Sequence, residues 1–265
     1  MYTRQFIKAQ IDNIFIPEGV PIIMHTSLRS IGKIEGGAEL LLDILVEKIV
    51  GDGGLLIIPT HTWSNLGKDV PTLDLTKRES NLGAFPNVAL RDPRGYRTEN
   101  PSHSAVIFGD RAWAKRLADN ESSVETPVAP DSIYGRLYDE GGYVLLVGVT
   151  LNKNTYLHSV EEALGFPNRM LDDFTDVSVK YPDGSITERK IRLFDNSVHG
   201  DVSHKYDIYE PIFREAGAIK DSLIGEAPVM LCSCRIMRDS LSAFARSINE
   251  PDPIIYLERK NAAKQ

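Results

Sequence analysis

The chain has 265 residues, 42% of them hydrophobic, with a formal net charge of -7 and a pI near 5.4. This length and composition allow a large buried core without a metal or a disulfide. The acidic balance argues against a general nucleic-acid-binding protein, because phosphate backbones are bound by clustered lysines and arginines. No segment has the length and hydrophobicity of a signal peptide or a membrane span, so we expect a soluble, cytoplasmic protein that contacts neither nucleic acid nor membranes.

The first predicted strand leads into a segment rich in hydroxyl groups. Residues 3–12 have the pattern of a short amphipathic helix, Val20–Met24 that of a buried strand, and Leu40–Val50 that of a helix. The loop between this strand and the second helix consists of His25, Thr26, Ser27, Leu28, Arg29, Ser30, Ile31 and Gly32. A strand, a loop and a helix in this order predict an anion site, because unpaired N–H groups and the helix dipole favour phosphate. A plain capped turn is the alternative.

The second predicted strand, Leu55–Ile58, also ends in polar residues, among them His61 and Thr62. Right-handed crossovers make the first two strands parallel, so both polar clusters are expected at one edge of the sheet. Residues 66–102 form a long irregular segment of the kind that serves as a binding loop or lid. His103 and Ser104 lead into a third strand, Ala105–Gly109.

Tyr143–Glu162 combines a buried strand with turn and helix-start residues. If the helix starts near Thr155, His158 and Glu161 lie one turn apart on the same face. A carboxylate beside an imidazole stabilises the imidazolium and makes the histidine a better general base. The pair is therefore a candidate catalytic dyad, with Glu162 as the partner if the helix register differs by one residue. An ordinary solvated helical pair is the alternative.

The remaining sequence predicts an antiparallel elaboration and the end of an α/β fold. Residues 176–181 and 186–193 alternate with period two around a Pro-Asp-Gly turn, which is typical of a hairpin. Helices are expected over 206–215 and 237–247, a loop over 199–204, and strands over 218–225 and 227–235, where Cys232 and Cys234 are expected as buried strand thiols. We predict one domain over residues 1–265, a three-layer α/β/α sandwich with a mostly parallel or mixed central sheet and an antiparallel insertion at about 172–205.

Other catalytic chemistries have weaker support. His25, His61 and His103 are each expected to follow a strand and could converge as zinc ligands, but the chain has no close metal-ligand spacing, and we expect no metal. The G-x-S-x-G motif of serine hydrolases is missing, as are the glycine motifs of dinucleotide-binding folds and P-loops. A histidine–carboxylate pair and an anion site without a covalent nucleophile favour direct transfer from a phosphate-bearing donor.

Several stretches in order resemble the aminoglycoside 3-N-acetyltransferase family, bacterial enzymes of antibiotic resistance. They are His25–Gly32 with Glu35–Glu39, Ile58–Trp63, Leu82–Pro86, Pro101–Ser104, and Val144–Val149 with Asn154, His158 and Glu161. The resemblance covers about residues 20 to 165 and, weakly, the C-terminal helix region. It implies an α/β sandwich that is unrelated to the commoner acetyl-CoA-dependent N-acetyltransferases.

The resemblance also implies roles for individual residues. His158 matches the family's catalytic histidine and Glu161 its carboxylate partner; His25–Gly32 matches the loop that holds the coenzyme A pyrophosphate, and Thr62 and Ser104 match the acyl channel. Residues 64–80 and 121–132, where the acceptor binds in the family, depart from its pattern. Their carboxylates are candidates for binding a cationic amine: Asp69, Asp74, Glu79, Glu125 and Asp131.

The resemblance therefore implies an acetyl-CoA-dependent acyltransferase that acts on a small-molecule amine, as a monomer or a homodimer. His158 would accept a proton from the attacking amine, and backbone N–H groups at a helix start would hold the oxyanion. Three alternatives stay open: an acyl-CoA thioesterase, an acyltransferase for a non-antibiotic amine, and a noncatalytic coenzyme A-binding protein.

Overall fold

The computed structural model describes residues 1–62 and 70–263. The predictions for residues 63–69, including Trp63 and Asp69, lie outside this range. In chain order, the described strands are β1 Pro21–Thr26, β2 Leu55–Pro59, β3 Thr72–Asp74, β4 Tyr96–Arg97, β5 Ala105–Phe108, β6 Tyr143–Val147, β7 Met170–Lys180, β8 Ile186–Phe194, β9 Ile219–Ile224 and β10 Ala227–Ser233.

Seven of these strands form the central sheet, in the order β4-β5-β2-β1-β6-β10-β9. The central strand β1 is parallel to both β2 and β6. The strands outside these three pair antiparallel, so the described sheet is mixed. The predicted parallel arrangement of the first two strands is thus confirmed.

Helices cover both faces of this sheet. In chain order they are α1 Arg4–Asp12, α2 Leu28–Ile31, α3 Gly37–Ile49, α4 Ala84–Arg91, α5 Arg111–Leu117, α6 Ile133–Asp139, α7 Tyr156–Ala163, α8 Glu210–Glu215, α9 Cys234–Ser247 and α10 Pro253–Ala262. Successive strand residues point to opposite faces: Ile22 packs in a core with α1 and α3, whereas Ile23 packs in a second core with α6 and α9. The predicted three-layer sandwich is confirmed.

A smaller sheet of β3, β7 and β8 lies beside the central one. The predicted hairpin is present, since β7 and β8 pair antiparallel. Strand β3 adds parallel to β7, a long-range pairing that the local sequence pattern did not reveal.

Several local predictions need correction. The loop His25–Gly32 is not irregular throughout: β1 runs to Thr26, and Ser27 caps the single-turn helix α2 by accepting a hydrogen bond from the Ser30 N–H. The segment 66–102 contains α4, which begins directly after Gly83. The φ angle of Gly83 is +99°, a value that glycine adopts readily and other residues rarely adopt. Cys232 lies in β10 as expected, but Cys234 begins α9; both thiols are buried and free.

No helix in the described part of the chain is long and apolar enough to cross a membrane.

Candidate active site

Three histidines meet at one edge of the central sheet, beyond the ends of its inner strands. His25 is near the end of β1, and His61 follows β2. His103 was expected to follow a strand, but it precedes β5. It reaches the same edge because β5 runs antiparallel to β2. The three histidines thus come together, as the sequence allowed, although for His103 the reason differs.

His61 and His103 form part of the buried wall of the site. Their ring centroids are 4.1 Å apart, and the Tyr134 hydroxyl lies 3.0 Å from His61 Nε2 while it donates to the His103 carbonyl. Burial lowers the pKa of His103 to about 3 and that of His61 well below its usual value. Both rings are therefore neutral near pH 7. Within the described residues, no group of three or more His, Cys, Asp or Glu side chains could hold a metal ion.

Helix α7 presents His158 and Glu161 on one face, as the sequence predicts, and Tyr206 lies between them. Thr155 precedes the first helical residue, as expected. The Tyr206 hydroxyl is 2.9 Å from His158 Nδ1 and donates a hydrogen bond of 3.0 Å to Glu161 Oε2. The carboxylate thus reaches the imidazole through a phenol rather than directly.

This arrangement fixes the position of the proton on the imidazole. Tyr206 has one hydroxyl proton, which it donates to Glu161. Its oxygen can therefore only accept a hydrogen bond from His158, so Nδ1 of His158 carries the ring proton. Nε2 is then the unprotonated nitrogen and the one that can act as a base.

Glu161 lies at the centre of a buried polar network. Its carboxylate accepts hydrogen bonds from Arg169 at 2.6 and 3.2 Å and from the Tyr209 hydroxyl at 2.7 Å. Arg169 also pairs with Asp252, which in turn lies 2.8 Å from His199 Nε2. Glu161, Arg169 and Asp252 are at most 4% exposed. Full pairing is what makes such charges tolerable in the interior.

The neighbouring Glu162 points elsewhere. It accepts hydrogen bonds of 2.9 and 2.7 Å from the Thr126 hydroxyl, on the loop that precedes α6. The register of α7 therefore places Glu161, and not Glu162, in the network of His158.

The surroundings of His158 keep its imidazole neutral. Burial lowers the pKa of His158 to about 4, the Asp201 carboxylate acts in the opposite direction, and the Arg169 charge lowers it further. Phe194, at the end of β8, packs against His158 with ring centroids 4.5 Å apart. The hairpin thereby shields one side of the base.

Two cavities meet at this edge of the sheet. The first has a volume of about 480 Å³ and is lined by residues that include His158, His103, Phe194 and Asp201. The second has a volume of about 420 Å³ and lies between the end of β1 and the start of α4. Their common lining residues are His25, Leu82 and Lys153. Together they offer space for two molecules beside one base.

The residues predicted for the coenzyme occupy different places. His25 and Thr26 line the second cavity. The single turn of α2 and its end consist of Leu28, Arg29, Ser30, Ile31 and Gly32. The Ser30 hydroxyl lies within hydrogen-bond distance of the Ser27 hydroxyl and the Gly148 carbonyl. Thr62 and Ser104 are buried, and their hydroxyls bond to main-chain carbonyls. Neither is among the described residues that line the two cavities.

The carboxylates proposed for the acceptor lie away from the first cavity in the described part of the chain. Asp74 is bonded to Thr76, Glu125 pairs with Arg192, and Asp131 accepts from Asn120. None of these three, nor Glu79, lines the first cavity, whose described acidic residue is Asp201.

Sequence reasoning missed Tyr206, Arg169, Asp252 and Phe194. Phe194 ends β8 and Tyr206 lies shortly before α8, whereas Arg169 and Asp252 directly precede β7 and α10, so the four converge only in the fold. The one local signal was Asp252 immediately before Pro253, a pattern that predicts the start of a helix but no role in a site.

Comparison with known proteins identifies related sequences. A sequence profile described as Aminoglycoside 3-N-acetyltransferase matches residues 23–245. Aminoglycoside N(3)-acetyltransferase IX of Micromonospora chalcea is 29% identical over 177 residues, 60% of this chain, and the match spans only 61% of that relative's length. Aminoglycoside N(3)-acetyltransferase III of Serratia marcescens is 26% identical over 253 residues, 87% of this chain and 92% of that protein.

Solved structures share the fold. The structure of AAC-IIIb with CoASH has a TM-score of 0.77 at 22% identity and covers 95% of this chain and 99% of that one. A mutant of aminoglycoside acetyltransferase AAC(3)-IVa in complex with a gentamicin has a TM-score of 0.75 at 21% identity, covering 93% and 89% of the two chains. Since the profile matches most of its length, the chain belongs to the aminoglycoside 3-N-acetyltransferase family.

Proposed function

We propose that the protein transfers an acetyl group from acetyl-CoA to an amino group of an aminoglycoside or a related amino sugar. The observation that carries this proposal is the neutral imidazole of His158, held by Tyr206 through Nδ1 and lining a cavity that adjoins a second one. A base in one cavity that adjoins a second cavity suits a reaction that joins two substrates. The names of the relatives supply the substrate classes.

The second cavity suits the donor. Its walls include apolar side chains such as Met24, Ile58 and Phe85, against which the pantetheine arm can pack. The polar atoms Nε2 of His25 and Oγ1 of Thr26 are buried there without a hydrogen-bond partner in the described protein, and a bound donor would supply one. The phosphates would lie beside α2, where Arg29 is exposed.

The first cavity suits a cationic acceptor. The Asp201 carboxylate lies at its wall, and it is close enough to His158 to influence the pKa of the imidazole. A carboxylate in this position attracts an amine in its protonated form and stabilises the imidazolium that forms during the reaction.

The reaction follows from these parts. The acceptor nitrogen first loses its ammonium proton to solvent. The neutral nitrogen then attacks the thioester carbonyl carbon while Nε2 of His158 takes the second proton that the nitrogen loses. The carbonyl oxygen becomes an oxyanion; its collapse breaks the carbon–sulfur bond, and the imidazolium returns the proton to the leaving thiolate. The products are the N-acetylated amine and CoASH, and no acyl-enzyme forms.

Incubation with acetyl-CoA and a panel of amines tests this function. We expect thiol release only when gentamicin, apramycin or another amino sugar is present, with a product heavier by one acetyl group in mass spectrometry. Neutral sugars of similar size serve as the control. Thiol release that is independent of the amine would instead indicate a thioesterase, and binding of CoASH without turnover on any amine would indicate a noncatalytic protein.

A further inference from the structure

His25 occupies the junction of the two cavities. It is next to the last residue of the central strand β1, and it lines both cavities together with Leu82 and Lys153. Leu82 has no polar side-chain atom, and Lys153 is exposed. His25 is thus a half-buried polar side chain, with its Nε2 atom buried, at the place where an acyl group would pass from one cavity to the other.

The Nε2 atom of His25 is buried and has no hydrogen-bond partner among the described residues. A buried polar atom without a partner costs free energy, and such atoms are rare in folded proteins unless a ligand or a water satisfies them. Burial also lowers the pKa of His25 to about 3, so the ring is neutral near pH 7 and can donate one hydrogen bond without carrying a charge.

The main-chain groups at the start of α7 are already used. The Thr155 N–H donates to the Lys153 carbonyl, and the His158 N–H donates to the Thr155 carbonyl. The two N–H groups between them, of Tyr156 and Leu157, donate to the side chain and the carbonyl of Asn154. The expectation that the start of a helix holds the oxyanion is therefore not met at α7, the helix that carries the base. A side chain at the junction of the two cavities can supply the donor instead.

We propose that His25 is a further catalytic residue, whose Nε2–H donates a hydrogen bond to the acyl carbonyl oxygen and stabilises the oxyanion as the amine attacks. This inference rests on the proposed acyl transfer. The hydrogen bond strengthens as negative charge forms on the oxygen, which is the condition for accelerating the chemical step. His158 takes the proton and His25 stabilises the oxygen, so the two histidines have different roles.

Two variants at this position test the role of His25 in turnover. His25→Leu removes the donor at similar bulk, and we expect it to lower kcat about a hundredfold, the usual loss for one oxyanion donor. His25→Gln keeps an N–H donor and should retain more of the activity. Both variants should bind CoASH with the affinity of the wild type, because CoASH has no acyl carbonyl, and this calorimetric measurement also reports on folding.

Infrared difference spectroscopy of bound acetyl-CoA, isotopically labelled at the acetyl carbonyl, tests the contact itself. The carbonyl stretch should lie at a lower frequency in the wild type than in His25→Leu, with His25→Gln between them. The matched control is Thr26→Val. Thr26 lines only the second cavity, so its loss should weaken CoASH and acetyl-CoA binding equally and leave the carbonyl frequency unchanged.

The outcomes distinguish this inference from the proposed function. Equal carbonyl frequencies in the wild type and His25→Leu, with acetyl-CoA bound to both, would overturn the role of His25 and leave the acyl transfer intact. Failure of the wild type to bind acetyl-CoA would overturn the proposed function, and the role of His25 with it. The frequency difference requires no acceptor, so it supports the contact even if the amine substrate is unknown.

Discussion

At the scale of single residues, the site depends on how Tyr206 connects His158 to Glu161. A carboxylate in direct contact would raise the basicity of the imidazole through its charge. Here the Tyr206 hydroxyl orients the imidazole of His158, and the charge of Glu161 forms an ion pair with Arg169. The sequence predicted the helix face that carries both residues, but not the intervening tyrosine, because Tyr206 lies 48 positions after His158.

Replacing Tyr206 with Phe tests the connection. The variant removes the hydroxyl and keeps the ring, so His158 loses the group that fixes its Nδ1–H tautomer. We expect kcat to fall by about tenfold or more, within the range for loss of correctly positioned proton transfer. Steady-state kinetics with a competent amine measures this.

The matched control is Tyr209→Phe. Tyr209 also donates to Glu161, at 2.7 Å, but no hydrogen bond joins it to His158 in the described structure. Both variants should lose similar stability in urea unfolding, and kcat should fall substantially only in Tyr206→Phe. Equal kcat values in the two variants would refute the role assigned to Tyr206.

At the scale of elements, the regular parts of the fold were predictable and the long-range assembly was not. The strands next to β1 have continuous apolar runs, and α7 follows residues that are typical of a turn and a helix start, so local patterns identified them. The hairpin could be predicted from its period-two pattern and its turn. Its position over His158 could not be predicted, because it depends on the packing of Phe194. The short α2 and α4 were missed because the hydroxyl-rich and glycine-rich sequences around them are equally typical of loops.

The buried network joins α7 to the start of α10, and it changes the expected effect of Glu161→Gln. From the sequence alone this variant would be a mild change in catalysis. In the structure it leaves Arg169 buried with one of its two carboxylate partners removed. We therefore expect a loss of about 3 kcal/mol in the free energy of unfolding, as is usual when one partner of a buried ion pair is removed.

Urea unfolding of Glu161→Gln and of the adjacent control Glu162→Gln measures this difference. Glu162 is half-buried and accepts from the uncharged Thr126 hydroxyl, a bond that a glutamine oxygen can also accept, so its variant should lose only about 1 kcal/mol. If Glu161→Gln proved as stable as Glu162→Gln, the hydrogen-bonded network around Arg169 would not stabilise the folded state as described.

At the scale of the whole molecule, the buried histidines make stability depend on pH. In the folded state the pKa of His103 is about 3, whereas it is about 6.5 in an unfolded chain. Between these values the unfolded state binds more protons, so stability falls as the pH falls below 6.5. Glu121 acts in the opposite direction, because burial raises the pKa of its carboxyl to about 7 and the folded state then binds the extra proton.

These opposite pH dependences predict how the free energy of unfolding differs between pH 7.5 and pH 5. We expect the wild type to lose stability over this interval, because the lowered pKa values of His25, His61, His103 and His158 outweigh the raised pKa values of Glu121 and Glu162. His103→Gln should reduce the loss by about 2 kcal/mol, the share of one such histidine. Glu121→Gln should increase the loss. A pH dependence that is the same in all three proteins would contradict the assignment of these groups.

The central claim is that His158 is the base for acyl transfer, and the turnover of His158→Asn tests it most directly. Asparagine can place a polar amide near the position of Nδ1, but it cannot accept a proton at neutral pH. With acetyl-CoA and a competent amino sugar, kcat should fall by about a hundredfold or more, while calorimetry should find the affinity for CoASH unchanged. A folded His158→Asn protein that binds CoASH and turns over at the wild-type rate would contradict the mechanism.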